Sequence, residues 1–159
     1  YAEYAEDYGL EKSKFQYPMP VRFGGIYVPD ATVFRAGAKD NFALLDTPYY
    51  MSFVAVAAIN HPDLDRDGNI CEEDAALTKN KMRTMLRIGL LNGHDSIVLG
   101  AFGCGAFHNP PKHIARLFHE VIDEEEFKDK YKLIAFAILE DHNSPRGGNL
   151  QPFIEEFKS

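Results

Sequence analysis

The stretch Ser96-Ile97-Val98-Leu99-Gly100-Ala101-Phe102-Gly103-Cys104-Gly105-Ala106-Phe107-His108-Asn109-Pro110 decides how this chain is read. Ser96 to Leu99 is a short apolar strand. At the other end Asn109 can cap a helix whose first position is Pro110, and Ile114, Leu117, Phe118, Val121 and Ile122 give that helix one apolar face. The loop between them leaves the carboxyl end of a strand and enters the amino end of a helix, which is where open α/β sheets bind ligands. Gly103, Gly105 and Ala106 carry little or no side chain, so backbone N–H groups can approach an anion closely, and the helix start adds partial positive charge. A diphosphate suits this chemistry. The competing reading is a tight strand-to-helix turn with no ligand at all. Two common phosphate motifs are excluded: Gly103-Cys104-Gly105 is followed by Phe107-His108 rather than a third glycine, and no Gly-Lys-Ser or Gly-Lys-Thr occurs.

Outward from this loop the pattern is regular. Met82, Met85, Leu86 and Gly89 recur at helical spacing and Asn92-Gly93 supplies a left-handed stop, so a helix is predicted over about Glu73 to Leu91. Tyr49 to Ile59 and Leu133 to Leu139 are continuous apolar runs, read as strands buried on both faces. Gly25 to Val28 and Ala31 to Phe34, separated by Pro29-Asp30, read as two short strands. Asn149 begins a last helix with Leu150, Phe153, Ile154 and Phe157 on one side. Strands alternating with amphipathic helices predict a three-layer α/β/α sandwich around a mostly parallel, mixed sheet. Residues 1–20, rich in tyrosine and charge, form an opening segment ahead of a single domain over 21–159.

Composition narrows the function classes. The chain has 159 residues and a formal charge of -7, from 24 acidic and 17 basic residues, which argues against broad contact with a nucleic-acid backbone. No apolar stretch is long enough to cross a bilayer and no signal segment opens the chain. Two cysteines, Cys71 and Cys104, are too few for a disulfide framework, so the expected location is intracellular, cytoplasmic or nuclear. Residue 1 is Tyr rather than Met, which fits a processed chain or a piece of a longer one.

Four segments together resemble the microbial-type poly(ADP-ribose) glycohydrolases, a family of divergent macrodomains. They are Gly24-Gly25-Ile26-Tyr27-Val28-Pro29-Asp30-Ala31-Thr32-Val33-Phe34-Arg35, Val54-Ala55-Val56-Ala57-Ala58-Ile59-Asn60, Lys81-Met82-Arg83-Thr84-Met85-Leu86-Arg87, and Gly93 to Phe107. The resemblance spans about Gln16 to Phe157. It implies ADP-ribose held across the carboxyl ends of the strands, with Phe102, Gly103, Cys104, Gly105, Ala106 and Phe107 at the ligand and Asn60, at the end of another strand, as a further contact. It also implies partners (ADP-ribose, poly(ADP-ribose), ADP-ribosylated proteins) and a reaction, hydrolysis of the glycosidic bond between ADP-ribose units. In such cleavages a carboxylic acid protonates the leaving oxygen, and no metal or cofactor is required.

The family's catalytic Gly-Gly-Gly loop and Gln-Glu-Glu tripeptide occur nowhere in this sequence. The nearest candidates, Gly24-Gly25, Glu72-Glu73 and Glu124-Glu125-Glu126, stand in other contexts. The expectation is therefore a carboxy-terminal portion of a glycohydrolase-like protein without catalytic residues of its own. The second choice is a non-catalytic ADP-ribose-binding domain.

A third class comes from Asp63 to Asp74, which matches the twelve-residue EF-hand loop: oxygen donors Asp63, Asp65, Asp67 and Asn69 at positions 1, 3, 5 and 7, Gly68 at 6, Ile70 at 8 and Asp74 at 12. A structural Ca²⁺ is the metal that this pattern fits, and a calcium-dependent interaction module the function. The alternative is an acidic turn that caps the next helix. His94, His108, His113 and His119 lack metal-ligand spacing and read as surface residues, Cys104 reads as a small loop residue, and Glu140 and Asp141 read as a solvated turn.

Overall fold

A computed structural model describes residues 24–158, so the opening segment 1–20 lies outside the described residues. The chain has a mixed α/β fold. In order it forms β1 (Ile26–Arg35), β2 (Leu44–Ala55), α1 (Glu72–Leu91), β3 (Ser96–Leu99), α2 (Pro111–Ile122), β4 (Leu133–Phe136) and α3 (Leu150–Glu156).

The two short strands expected around Pro29-Asp30 are one strand. β1 continues through the proline because its register against antiparallel β2 shifts between Val28 and Ala31, and Asp30 at φ 49° takes up the extra residue. A proline without an N–H is tolerated at such a bulge. β3 and β4 pair in parallel from Ser96↔Leu133 to Leu99↔Phe136. Among the described residues the strands thus form two two-stranded sheets, one antiparallel and one parallel. Neither long apolar run is buried on both faces. Tyr50, Met51 and Phe53 of β2 and Leu133 of β4 are exposed, as is Leu139, which lies beyond the end of β4. A run of apolar residues sets the chain's preference for strand, but only neighbouring elements can cover its faces.

The helices follow their apolar periodicity. Thr78, Met82, Met85, Leu86 and Gly89 line the buried side of α1, and Glu72, Glu73 and Asp74 sit in its first turn, where carboxylates favour the helix dipole. A Cβ at Gly89 would overlap the hydroxyl of Tyr131, which donates to Leu86 O (2.7 Å), so the bare position lets Tyr131 dock on α1. His94 N–H closes the end of α1 on Gly89 O (3.0 Å) after Gly93 turns at φ 77°. Ile114, Ala115, Leu117, Phe118 and Val121 bury the inner side of α2. Phe118, wholly buried, meets Phe136 edge-on (5.3 Å between centroids) and lies near Phe102 and Phe153. Burial of one such ring contributes about 1.5–3 kcal/mol. Arg83 and Arg87 of α1 each grip a carboxylate with two nitrogens, Glu124 at 2.7 and 2.6 Å and Glu126 at 2.5 and 2.6 Å, which ties α1 to the segment after α2.

Candidate functional site

The loop between β3 and α2 is built from two successive turns. Cys104 N–H donates to Ala101 O (2.9 Å) and His108 N–H to Gly105 O (2.9 Å). A turn of this kind uses only the N–H of its fourth residue, so its inner amides stay unbonded. Among the described residues the amides of Phe102, Gly103, Gly105, Ala106 and Phe107 meet no protein acceptor, whereas that of Cys104 is consumed.

Asn109 does not cap α2. The helix begins one residue later than expected, with Pro110 at the N-cap and Pro111 as its first residue, and no side chain caps it. Asn109 is instead 2% exposed, with Nδ2 donating to Ile59 O (2.7 Å), Gly103 O (3.1 Å) and Phe107 O (3.3 Å). A buried amide with carbonyls on several sides outcompetes the helix terminus, which two prolines already suit. Gly103 makes this packing feasible. It sits at φ 75°, and a Cβ there would lie 2.5 Å from Asn109 Nδ2 and 2.8 Å from Ala58 Cβ. Gly105 differs: its φ is ordinary, and a Cβ would lie 3.6 Å from Asn143 Cβ, a normal contact. The fold requires a glycine at 103 but not at 105.

The segment after β2 is bound to this loop from both sides of Asn60, through Asn109 to Ile59 O and through His61 N–H to Phe107 O (2.9 Å). Asn60 is exposed beside the glycines, with Oδ1 2.6 Å from His61 Nδ1, and the His61 and His108 rings lie 4.6 Å apart. Of the expected loop residues, Ala106 and Phe107 are exposed, Phe102 leans on Phe118, and the Cys104 side chain is turned into the core. Burial pushes the Cys104 thiol up to about 12, which leaves no thiolate at neutral pH. Neither the histidine pair nor the Asn109 contacts stand out in the sequence, because both depend on the loop's folded path.

Glu140 is exposed, as a solvated turn residue would be, but its carboxylate is engaged. Its carboxylate accepts the amides of Asn149 (2.8 and 3.0 Å) and Leu150 (2.6 Å), capping α3 in place of the Asn149 side chain. Those amide bonds hold its carboxyl below the usual glutamate range. His113 is not a surface residue. It is 6% exposed and its Nδ1 accepts Ile70 N–H (2.7 Å), and burial lowers its pKa.

In the loop 63–74, Asp65 Oδ1 accepts the amides of Asp67 (2.9 Å) and Asn69 (2.8 Å), and Asp74 Oδ2 accepts that of Asp63 (3.1 Å). Arg116 donates to Asn69 Oδ1 (3.3 Å). Among the described residues no three of His, Cys, Asp and Glu converge as a metal-holding group. No described helix is long and apolar enough to cross a membrane.

No family model and no curated protein matches the chain. Solved structures do. The poly(ADP-ribose) glycohydrolase of Deinococcus radiodurans in complex with ADP-ribose is 28% identical, with a TM-score of 0.70 over 84% of this chain and 51% of that chain. The same enzyme in apo form gives 28% identity and a TM-score of 0.68 over 83% and 52%. The poly(ADP-ribose) glycohydrolase of Thermomonospora curvata gives 29% and 0.71 over 84% and 47%. The chain is therefore related to the microbial poly(ADP-ribose) glycohydrolases, and it spans about half the length of these solved relatives.

Proposed function

We propose that the chain is the diphosphate-holding, carboxy-terminal portion of a poly(ADP-ribose) glycohydrolase-like protein, and that by itself it binds ADP-ribose without hydrolysing the bond between ADP-ribose units. One observation carries this: Gly105, Ala106 and Phe107 present three successive amides without a protein acceptor among the described residues, at the start of a helix with no acidic residue in its first turn. Such amides bind phosphate oxygens, and the helix start reinforces them. Gly105, which the fold does not require, keeps the surface bare where a pyrophosphate would lie. Gly103 shapes the loop, Phe102 and Cys104 anchor it, Phe107 offers an exposed ring to the ribose or base, and Asn60 stands within the same loop cluster. The solved relative that holds ADP-ribose supports the ligand.

Cleavage of the glycosidic bond needs a carboxylic acid that is protonated near neutral pH. Glu140, in the loop that borders Gly105 through Asn143, is held ionised by its amide bonds and serves as a helix cap. Hydrolysis by the complete protein thus falls to the Gly-Gly-Gly and Gln-Glu-Glu portion, with polymer or ADP-ribosylated protein as substrate. The test is calorimetric titration of ADP-ribose into the wild-type chain and Gly105→Val. Affinity should fall tenfold or more in the variant with its melting temperature retained, and equal binding by the two would remove the loop from the site.

The Ca²⁺ reading of 63–74 is a separate proposal, supported by the oxygen spacing and by Gly68 at φ 80° in the sixth position. Asp67 is the informative residue, because its carboxylate accepts no bond within the turn while that of Asp65 holds the turn together. Calcium should raise the melting temperature of the wild type and not of Asp67→Ala, which removes the position-5 oxygen altogether. An unchanged wild type would leave the loop as a turn organised by Asp65.

A further inference from the structure

Two imidazoles far apart in sequence meet beside the glycine loop. His61, which follows β2, and His108, which precedes α2, have ring centroids 4.6 Å apart. Both residues are exposed, and both sit in the left-handed region, at φ 52° and 54°. Two backbone bonds fix where the rings leave the chain: His61 N–H donates to Phe107 O (2.9 Å) and His108 N–H to Gly105 O (2.9 Å). Asn60 Oδ1 lies 2.6 Å from His61 Nδ1. An amide oxygen only accepts, so Nδ1 carries the hydrogen and Nε2 keeps a free lone pair. Among the described residues Nε2 of His61 and both ring nitrogens of His108 meet no hydrogen-bond partner. Metal-ligating histidines are oriented in the same manner, by an acceptor on the nitrogen that does not bind the ion.

We propose that His61 and His108 together chelate one divalent transition-metal ion of the Zn²⁺ class, which staples the segment after β2 to the loop before α2. A Zn–N bond of about 2.0–2.1 Å puts the ion about 3.2 Å from each ring centre, so two imidazoles on a tetrahedral ion stand roughly 5 Å apart. The observed separation of 4.6 Å is close to that. Imidazole nitrogen suits Zn²⁺, Ni²⁺ and Cu²⁺, whereas Mg²⁺ and Ca²⁺ take oxygen donors. Among the described residues no set of three His, Cys, Asp or Glu converges, so the protein supplies two of these ligands and the other coordination positions stay open to water or to an anion's oxygen. The ion joins two loops that only the folded chain brings together, so its binding favours the folded state by mass action. The site is separate from the oxygen-rich loop 63–74, and it stands whether or not the glycine loop binds ADP-ribose.

The test is titration of Zn²⁺ into the chain, read by calorimetry and by the ring signals of its six histidines in NMR spectra. The strongest site should take one ion per chain, and the ring signals of His61 and His108 should shift together. His61→Asn and His108→Asn keep a residue that tolerates left-handed backbone. Each should lower the affinity tenfold or more, with the melting temperature in the absence of metal retained. The double variant should lose little beyond either single one, because a shared ion is lost only once. Asp67→Ala should bind Zn²⁺ as the wild type does, and Mg²⁺ should move neither ring. The wild-type ring signals decide the matter even where a variant folds poorly. A Zn²⁺ response at only one of the two rings or at neither, wild-type affinity in either single variant, or losses that add in the double variant would each overturn the proposal.

Discussion

Gly103 and Gly105 stand two residues apart in one loop, yet alanine should act on them in opposite ways. At Gly103 the added Cβ meets Asn109 Nδ2 at 2.5 Å and Ala58 Cβ at 2.8 Å, and φ is 75°. Holding a non-glycine residue in the left-handed region costs about 1–2 kcal/mol, and forcing a methyl group into a packed site adds about 1–3 kcal/mol. Asn109 cannot move away without loosening its bond to Ile59 O. Gly103→Ala should therefore destabilise by about 2–5 kcal/mol, a fall in melting temperature on the order of 5–15 °C for a domain of this size. At Gly105 the new methyl lies 3.6 Å from Asn143 Cβ with no backbone strain, so stability should change by less than about 0.5 kcal/mol. Thermal melts followed by circular dichroism read both. If Gly105→Ala melts as early as Gly103→Ala, or Gly103→Ala melts with the wild type, the distinction between a fold-shaping glycine and a surface-clearing one is wrong.

Three further outcomes are expected. In the native protein at pH 7.5, iodoacetamide should label half-buried Cys71 before Cys104, whose thiol is buried and pushed up to about 12; mass spectrometry of a time course reads the order. The Glu140 cap should hold α3 fully at neutral pH, because the folded carboxyl titrates below the unfolded one, and should fade as pH falls through that lower folded value; Glu140→Gln should show fast amide exchange at Asn149 and Leu150 at every pH. A double-mutant cycle on Arg83 and Glu124, by chemical denaturation, should give a coupling of about 1 kcal/mol that shrinks with salt, since the pair is two-pronged yet partly solvated.

Much of the fold was legible in the residues. The period of Met82, Met85, Leu86 and Gly89 places α1 within a residue of its observed start, and the glycine-rich loop stands between β3 and α2 as its composition predicts. These are local signals, carried by side-chain periodicity and turn chemistry. Long-range choices were not legible. Asn109 has the spacing of a helix cap, but Ile59 O, fifty residues earlier, takes its amide. Asn149 likewise yields its helix start to Glu140, and His113 yields its surface place to Ile70. In each case a polar group chose between a neighbour in sequence and one in space, and only the fold supplies the second. The exposure of β2 and β4 is hidden from the sequence for the same reason, since an apolar strand announces its own preference and not its neighbours.

The glycine loop is fastened from behind. Phe102 leans on Phe118, Cys104 is sealed in the core, and Asn109 staples the chain to Ile59 and Phe107. On the proposed reading, folding itself orders its amides, so the entropy of ordering them is not spent at the moment of encounter. An incoming anion would meet a preorganised cradle, and small losses of rigidity behind the loop would be felt as losses of affinity in front of it.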